Sequence, residues 1–446
     1  MRKKPKPVED FVNTEVEVSN LEEVTVMKRT FVRILAGLLL VALLVPVGAF
    51  AQKKVTFTLW TKEGEVTGGV LEDIVELSQE FIKNRPGLTM EIVSYGVEDL
   101  RQNFQAAAFA GQGPDLLWTV SDHAGPFVAM EIIKPVDDIF GAEFLEGFVR
   151  PGLEVVELEG KTWGVPISVG NHLMLLYNKK LLPEAPQNTD EMIKVAKELT
   201  VDLDKDGMPD QYGLVYNLNE PFFFVPWLGG FGGWPLDGTT PTLNTPGMIG
   251  ALQFAHDLKF VHKIVPVECD YDAADSLFKE GKAAMLINGD WSIAGYQTPE
   301  VKEKVDLGIA RIPLISETGL WPAPMTSGIY FMIPDYLDAE KIAIAKEFVE
   351  FISSDEVQIR FLEKHMRLPA TATALAHPSI ASDPLLKGSA DQMVVGKPMP
   401  TVPEMRAAWD AIRPNQEAVM AGKMTAEAAA KAMQEAAEKL IREMTK

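Results

Sequence analysis

Between residues 55 and 120 the hydrophobic period switches repeatedly, and that alternation restricts the fold more than any other feature. The run V-T-F-T-L-W at 55–60 alternates apolar and polar residues, the period of a strand with one buried face. After a glycine-rich gap, Val70, Ile74, Leu77 and Phe81 recur at helical spacing, with Leu71, Val75 and Ile82 widening the stripe, and the helix is predicted to stop before Pro86-Gly87. Residues 89–93 read as a second strand, 97–110 as a second helix closed by Gly111, and 115–118 as a third short strand. Strand, helix, strand, helix, strand implies βαβ units and a parallel sheet, hence an α/β chain. Ligands on open α/β sheets collect beyond the carboxyl ends of the strands. Trp60 ends the first strand, and Trp118, Ser121, Asp122 and His123 follow the third, so these residues are expected on one rim.

A chain of 446 residues, 47 % hydrophobic, is too long for one ordinary core and rich enough for two. The middle, 178–312, is again mixed α/β, and its aromatic stretch E-P-F-F-F-V-P-W at 220–227 is expected as a loop. The end, 425–444, reads as a helix with Thr425 as N-cap and one apolar face of Met433, Ala437, Leu440, Ile441 and Met444. A net charge of −21 repels phosphate backbones and anionic lipid, so no nucleic-acid partner is expected, while a neutral ligand is indifferent to that sign. The single cysteine, Cys269, excludes an intramolecular disulfide and a thiolate zinc site and is expected as a small buried residue.

The start of the chain reads as an export signal. Lys28, Arg29 and Arg33 precede an apolar run at 34–50 that ends in A-F-A at 49–51, a small-residue cleavage site. The run carries Gly37, Pro46 and Gly48 and is short for a spanning helix, the competing assignment. Met27 directly precedes the basic cluster, so 1–26 is expected to be a non-native extension, 27–51 the signal peptide and 52–446 the mature protein. With no cysteine at the cleavage site, no lipid anchor is expected, and the location implied is periplasmic.

Two motifs carry chemistry. Aromatic faces stack on the C–H faces of pyranose rings, and carboxylates take their hydroxyls. The candidates are Trp60, Trp118, Asp122, Glu220, Phe222, Trp227, Trp234, Trp291, Trp321 and Trp409. Core packing competes for every tryptophan; the expected loop positions of Trp118, Trp291 and Trp409 favour exposure in a cleft. Separately, D-L-D-K-D-G-M-P-D at 202–210 sets Asp202, Asp204, Asp206 and Asp210 around a glycine, as a calcium loop does, but position twelve is Gly213 rather than Glu. A structural calcium ion is weighed there against a solvated acidic turn; no other cofactor is expected.

Five segments, in order, resemble the maltose/maltodextrin-binding proteins of sugar importers. They are G-P-D-L-L at 113–117 with Asp122 downstream, G-V-P-I at 164–167 followed by L-L-Y-N-K at 175–179, N-L-N-E-P-F at 217–222, F-K-E-G-K-A-A-M-L-I-N-G at 278–289 with Trp291, and M-P-x-x-P-x-M at 399–405 with Trp409. The resemblance implies a two-lobed periplasmic-binding-protein fold of type II with the ligand cleft between the lobes: 52–168 with 314–368 as one lobe, 172–312 with 370–446 as the other. It implies that Asp122 and Glu220 bond sugar hydroxyls, that Phe222, Trp291 and Trp409 stack, and that the partners are an oligosaccharide and the permease subunits of a membrane ABC transporter. A monomer and no catalysis are expected. The sequence departs from the pattern at His123, where the family has Arg, at Thr119, in the family's Trp position, and at Gly170-Asn171-His172, where a carboxylate is missing. Two alternatives stay open: an exported glycoside hydrolase using Asp122 and Glu220 as acid and base, and a same-fold receptor for another sugar such as trehalose or a β-linked one.

Overall fold

The computed structural model describes residues 54–64 and 69–444, so the expected extension, signal and cleavage site lie outside the described residues. Val55–Lys446 forms one compact unit, and within it the described residues build two large sheets, of eight and four strands, and two small two-stranded ones.

The first lobe begins as the period changes predict. Strand Val55–Thr61 pairs in parallel with Leu88–Ser94 on one side and Leu116–Val120 on the other, with helices Val70–Ile82 and Val97–Phe109 as the crossovers. Phe57 and Leu59 are fully buried, and Ile74, Leu77 and Phe81 of the first helix pack into the same core. Each such side chain contributes roughly 1.5–3 kcal/mol on burial. The long strand Met325–Pro334 then enters antiparallel between Leu116–Val120 and Val165–Gly170, and Leu368–Pro369 closes the far edge.

In the second lobe the order is Leu307–Ala310, Leu173–Asn178, Ala283–Gly289, Tyr212–Val215. All seven residues of Ala283–Gly289 are buried, which is why that segment reads as a continuous apolar run rather than an alternating one. Helices Pro246–Phe260, Glu404–Met420 and Ala426–Met444 pack on the same core. Thr425 caps the last of them, its Oγ1 accepting from Ala428 N at 3.3 Å. Cys269 is buried and free, as expected.

The sheets are joined at Gly170–Asn171, between strands Val165–Gly170 and Leu173–Asn178. Gly170 has φ +115°, and a Cβ there would overlap the Asp290 carboxylate, so only glycine fits. Residues 370–372 still pair with 147–149 of the first lobe, and helix Pro384–Met393 follows, with Gly388 seated on Ile309 of the other sheet.

Beyond the end of the first strand lies a buried charge cluster. Glu63 Oε1 and Oε2 accept from Arg367 Nη1 and Nη2, both at 2.8 Å, and Glu63 Oε1 also accepts from Trp118 Nε1 at 3.1 Å. Burial pushes the Glu63 carboxyl up, but Arg367 and Lys62 outweigh it and hold the group down at about 2. A carboxyl depressed in the folded state stabilises the fold above its unfolded value and loses that contribution as pH falls toward its folded one. Stability is therefore expected to decline between the ordinary value of 4.5 and about 2. Glu63→Gln, which leaves Arg367 buried without its counter-ion, is expected to cost about 3 kcal/mol in denaturant unfolding at neutral pH and to flatten that acid slope.

Candidate functional site

The two lobes meet over a small cavity at the hinge. Lys62, Ser168, Ile329 and Arg367 line it from one lobe, Asp290 and Trp291 from the other, and Asn171 from the hinge itself. Asp290 Oδ2 accepts from Asn171 N at 3.0 Å, so a side chain of the second lobe fixes the hinge backbone. His172 is fully buried, and its Nε2–H donates to the Ser389 carbonyl at 3.0 Å. Burial lowers its basicity, and the nearby Asp290 only partly offsets that.

Trp291 stands in the turn after strand Ala283–Gly289 and is partly exposed. Gly289 makes room for it, since a Cβ there would overlap the indole. Its Nε1 donates to Tyr271 Oη at 3.0 Å, which fixes the ring plane. Phe222 stands beside it with ring centroids 6.2 Å apart, and Phe223 lies 6.5 Å away, edge-on. The expected loop at 220–227 is in fact part of a helix, Pro221–Gly230: Pro221 occupies the first turn, where no amide donor is needed, and Pro226 is accommodated inside. This helix buries Phe223, Phe224, Val225 and Trp227 and leaves Phe222 half-buried next to Trp291.

Glu220 precedes that helix, and both its oxygens are held by Arg413, with Nη1 on Oε2 at 2.5 Å and Nη2 on Oε1 at 3.1 Å. Arg413 lies one helical turn beyond Trp409 on Glu404–Met420. Trp409, expected in a loop, is mid-helix and 7 % exposed, with most of its indole in the second lobe's core.

Asp122 sits in the short turn Ser121–His123 after the third strand, half-buried. Burial pushes its carboxyl up to about 6, Glu98 adds to that, and Arg406 and Arg101 pull it back. His123 is buried, with Nδ1 2.7 Å from Thr119 Oγ1; burial and the two arginines push its basicity down to about 3, so the ring is neutral. Trp60 is half-buried against Tyr95, ring centroids 4.9 Å apart.

Trp118 is corrected. It lies within strand Leu116–Val120, only 1 % exposed, with Phe331 and Phe361 at 5.2 and 5.8 Å and its Nε1 spent on Glu63. No face is left for a sugar. Trp227 is likewise a core residue, and Trp234 and Trp321 lie against Lys397 and Arg311. The sequence reading missed Arg413, Tyr271 and the group Lys62, Glu63, Arg367 and Asp290. Only Arg413 carried a local signal, its spacing of four from Trp409.

At the acidic turn, Asp202, Asp204 and Asp210 bring carboxylate oxygens within 4.8 Å of one another, and Asp206 is outside that group. Asp202 accepts from Lys205 N and Gly207 N, and Asp210 from Leu203 N and Asp204 N.

Among the described residues no helix is long and apolar enough to cross a membrane. Residues 76–388 match the family described as bacterial extracellular solute-binding protein. The fold superposes on the maltose/maltodextrin-binding domain MalE from Bdellovibrio bacteriovorus bound to maltotriose, at 41 % identity and TM-score 0.82, covering 87 % of this chain and 100 % of that one. The Thermus thermophilus maltotriose binding protein bound with maltotriose matches at 26 % identity and TM-score 0.77, over 86 % of this chain and 100 % of that one. The maltotriose-binding protein of Pyrococcus abyssi is 28 % identical over 354 residues, 77 % of this chain and 73 % of that protein. With two sheets joined at a hinge and a cleft between them, the chain belongs to the bacterial extracellular solute-binding protein family.

Proposed function

We propose that this protein is the substrate-binding component of a carbohydrate ABC importer, which captures a maltooligosaccharide between its lobes and delivers it to the membrane permease subunits. The observation that carries the reading is the partly exposed aromatic pair Phe222 and Trp291 at the lobe junction, flanked by the Glu220–Arg413 pair. Stacking on such rings and hydrogen bonding to fixed carboxylates is what a neutral sugar requires. The similarity to two maltotriose-bound proteins gives the ligand class. In this reading Phe222 and Trp291 stack, Trp409 backs them from the second lobe's core, Asp122 and Glu220 accept hydroxyls, and Trp60 lines the rim. Ligand contacts made by both lobes at once favour the closed form, which is the form a transporter reads. The protein acts as a monomer in the periplasm.

No chemistry is part of this role. Retaining and inverting hydrolases both need a pair of free carboxyl groups, whereas Arg413 holds both oxygens of Glu220, each keeping a lone pair for a sugar hydroxyl, an arrangement that suits capture. The relatives reported above are binding proteins.

Titration calorimetry of residues 52–446 against maltose, maltotriose, trehalose and a β-linked disaccharide tests the assignment. Saturable one-to-one binding of the α-linked glucans without turnover is expected; silence across them, or cleaved product, overturns it. Trp291→Ala is expected to weaken maltotriose binding by more than about 1 kcal/mol through lost stacking, with melting temperature as the control for folding.

For the acidic turn we propose a structural calcium ion, supported by the three converging carboxylates. Calcium is expected to raise the thermal midpoint and chelator to lower it without altering sugar affinity; equal midpoints would assign the aspartates to their own turn amides.

A further inference from the structure

Helix Val97–Phe109 of the first lobe carries charge that the sugar reading does not use. Glu98 Oε2 accepts from two arginines at once: from Arg101 Nε and Nη2 on its own helix, at 3.3 and 3.2 Å, and from Arg406 Nη1 on helix Glu404–Met420, at 2.7 Å. The remaining nitrogens of both guanidiniums each have a partner as well. Arg101 Nη1 donates to Gln105 Oε1 at 2.8 Å, and Arg406 Nε and Nη2 donate to the two oxygens of Asp410 at 3.1 and 2.5 Å. The side chains of Arg101, Arg406 and Glu98 are 11 %, 23 % and 40 % exposed.

The two helices belong to different lobes. Helix Val97–Phe109 sends Leu100 and Phe104 into the first lobe, while Met405 and Trp409 anchor Arg406's helix in the core of the second. The Glu98–Arg406 contact therefore links the lobes, alongside the bond from Thr401 Oγ1 to the Val155 carbonyl at 2.7 Å. It does so next to the site, because Asp122 feels the charges of Glu98, Arg406 and Arg101, and Arg413 feels that of Glu98. An isolated exposed ion pair contributes little, but here each guanidinium is held in place by a second partner on its own helix, so little side-chain freedom is left to lose when the lobes meet.

We propose that Glu98 is a positioning residue for ligand capture: by bridging Arg101 and Arg406 it holds the lobes closed at the Asp122 end of the cleft and so slows release of the bound sugar. This rests on the reading that the cleft takes a maltooligosaccharide. In this proposal, opening the cleft separates Glu98 from Arg406, so that their bond breaks as the ligand leaves. Its contribution therefore falls on the dissociation rate rather than on the aromatic contacts.

The test uses Glu98→Gln, Arg406→Gln and the double variant. Maltotriose dissociation is followed by stopped-flow tryptophan fluorescence at low and high salt, and the ligand-free proteins are compared by X-ray scattering. Each single variant is expected to speed dissociation about three- to tenfold at low salt, with association changed less. The double variant is expected to be no faster than either single one, and the difference from wild type should shrink at high salt. The ligand-free variants should have a larger radius of gyration than wild type at an unchanged melting temperature. Dissociation rates that multiply in the double variant, or that match wild type, overturn the proposal. If the wild-type protein binds no maltooligosaccharide, the ligand reading fails by itself and scattering decides the bridge: an expanded Glu98→Gln variant keeps it as a closing contact, and an equal radius removes it.

Discussion

Strand Met325–Pro334 fills the gap between Leu116–Val120 and Val165–Gly170, and every one of its residues except Thr326 is buried. The first lobe's sheet thus has a hole in its middle until the chain has run through the second lobe and come back. That requirement sets the rest of the architecture. The lobes cannot be successive beads, the joins between them must lie side by side, and the surfaces facing each other across those joins are the ones a ligand meets. The charged residues that settle there, Glu63, Arg367 and Asp290, sit where the two cores stop and neither can cover them alone.

Much of this was legible in the sequence because it is local. The helices at Val70–Ile82 and Val97–Phe109 need only their own apolar stripes, and the strands between them only their own alternation or apolar runs. Legibility failed where local signals were absent or contradictory. All five residues of Leu116–Val120 are buried, so no alternation marks where that strand ends, and Trp118 was placed two residues too close to its exit. The stretch after Glu220 has two prolines and a run of aromatics, which reads as a loop; Pro221 in the first turn is in fact a helix start, and the tertiary core supplies the burial that the segment's own pattern does not announce. Trp409 was read as cleft-facing because it was taken to lie in a loop, whereas a mid-helix position buries most of its indole.

The charges at the site were harder to read for a different reason. Glu63 and Arg367 are 304 positions apart, Glu98 and Arg406 are 308 apart, and Glu220 and Arg413 are 193 apart. No periodicity links such pairs, and an arginine on a helix is unremarkable until its partner is known. The candidate carboxylates were visible by type, but what distinguishes them is their surroundings. Asp122 is enclosed and pushed up to about 6, while Glu220 is clasped by a guanidinium on both oxygens. Two candidate carboxylates, one on each lobe, thereby present different acceptors: one depends on pH near the neutral range, and the other is rigidly oriented.

Cys269 has a consequence of a practical kind. It is the chain's one cysteine, it is 2 % exposed, and burial pushes its thiol up to about 12. The thiolate is the reactive form, so at neutral pH this sulfur is almost inert toward alkylating probes. A cysteine introduced on either lobe would be the only reactive thiol in the molecule. Two of them, one on each side of the hinge, would accept a pair of fluorophores or spin labels without first removing a native residue. The separation of the lobes can then be followed directly in solution, on a background that the fold itself keeps silent.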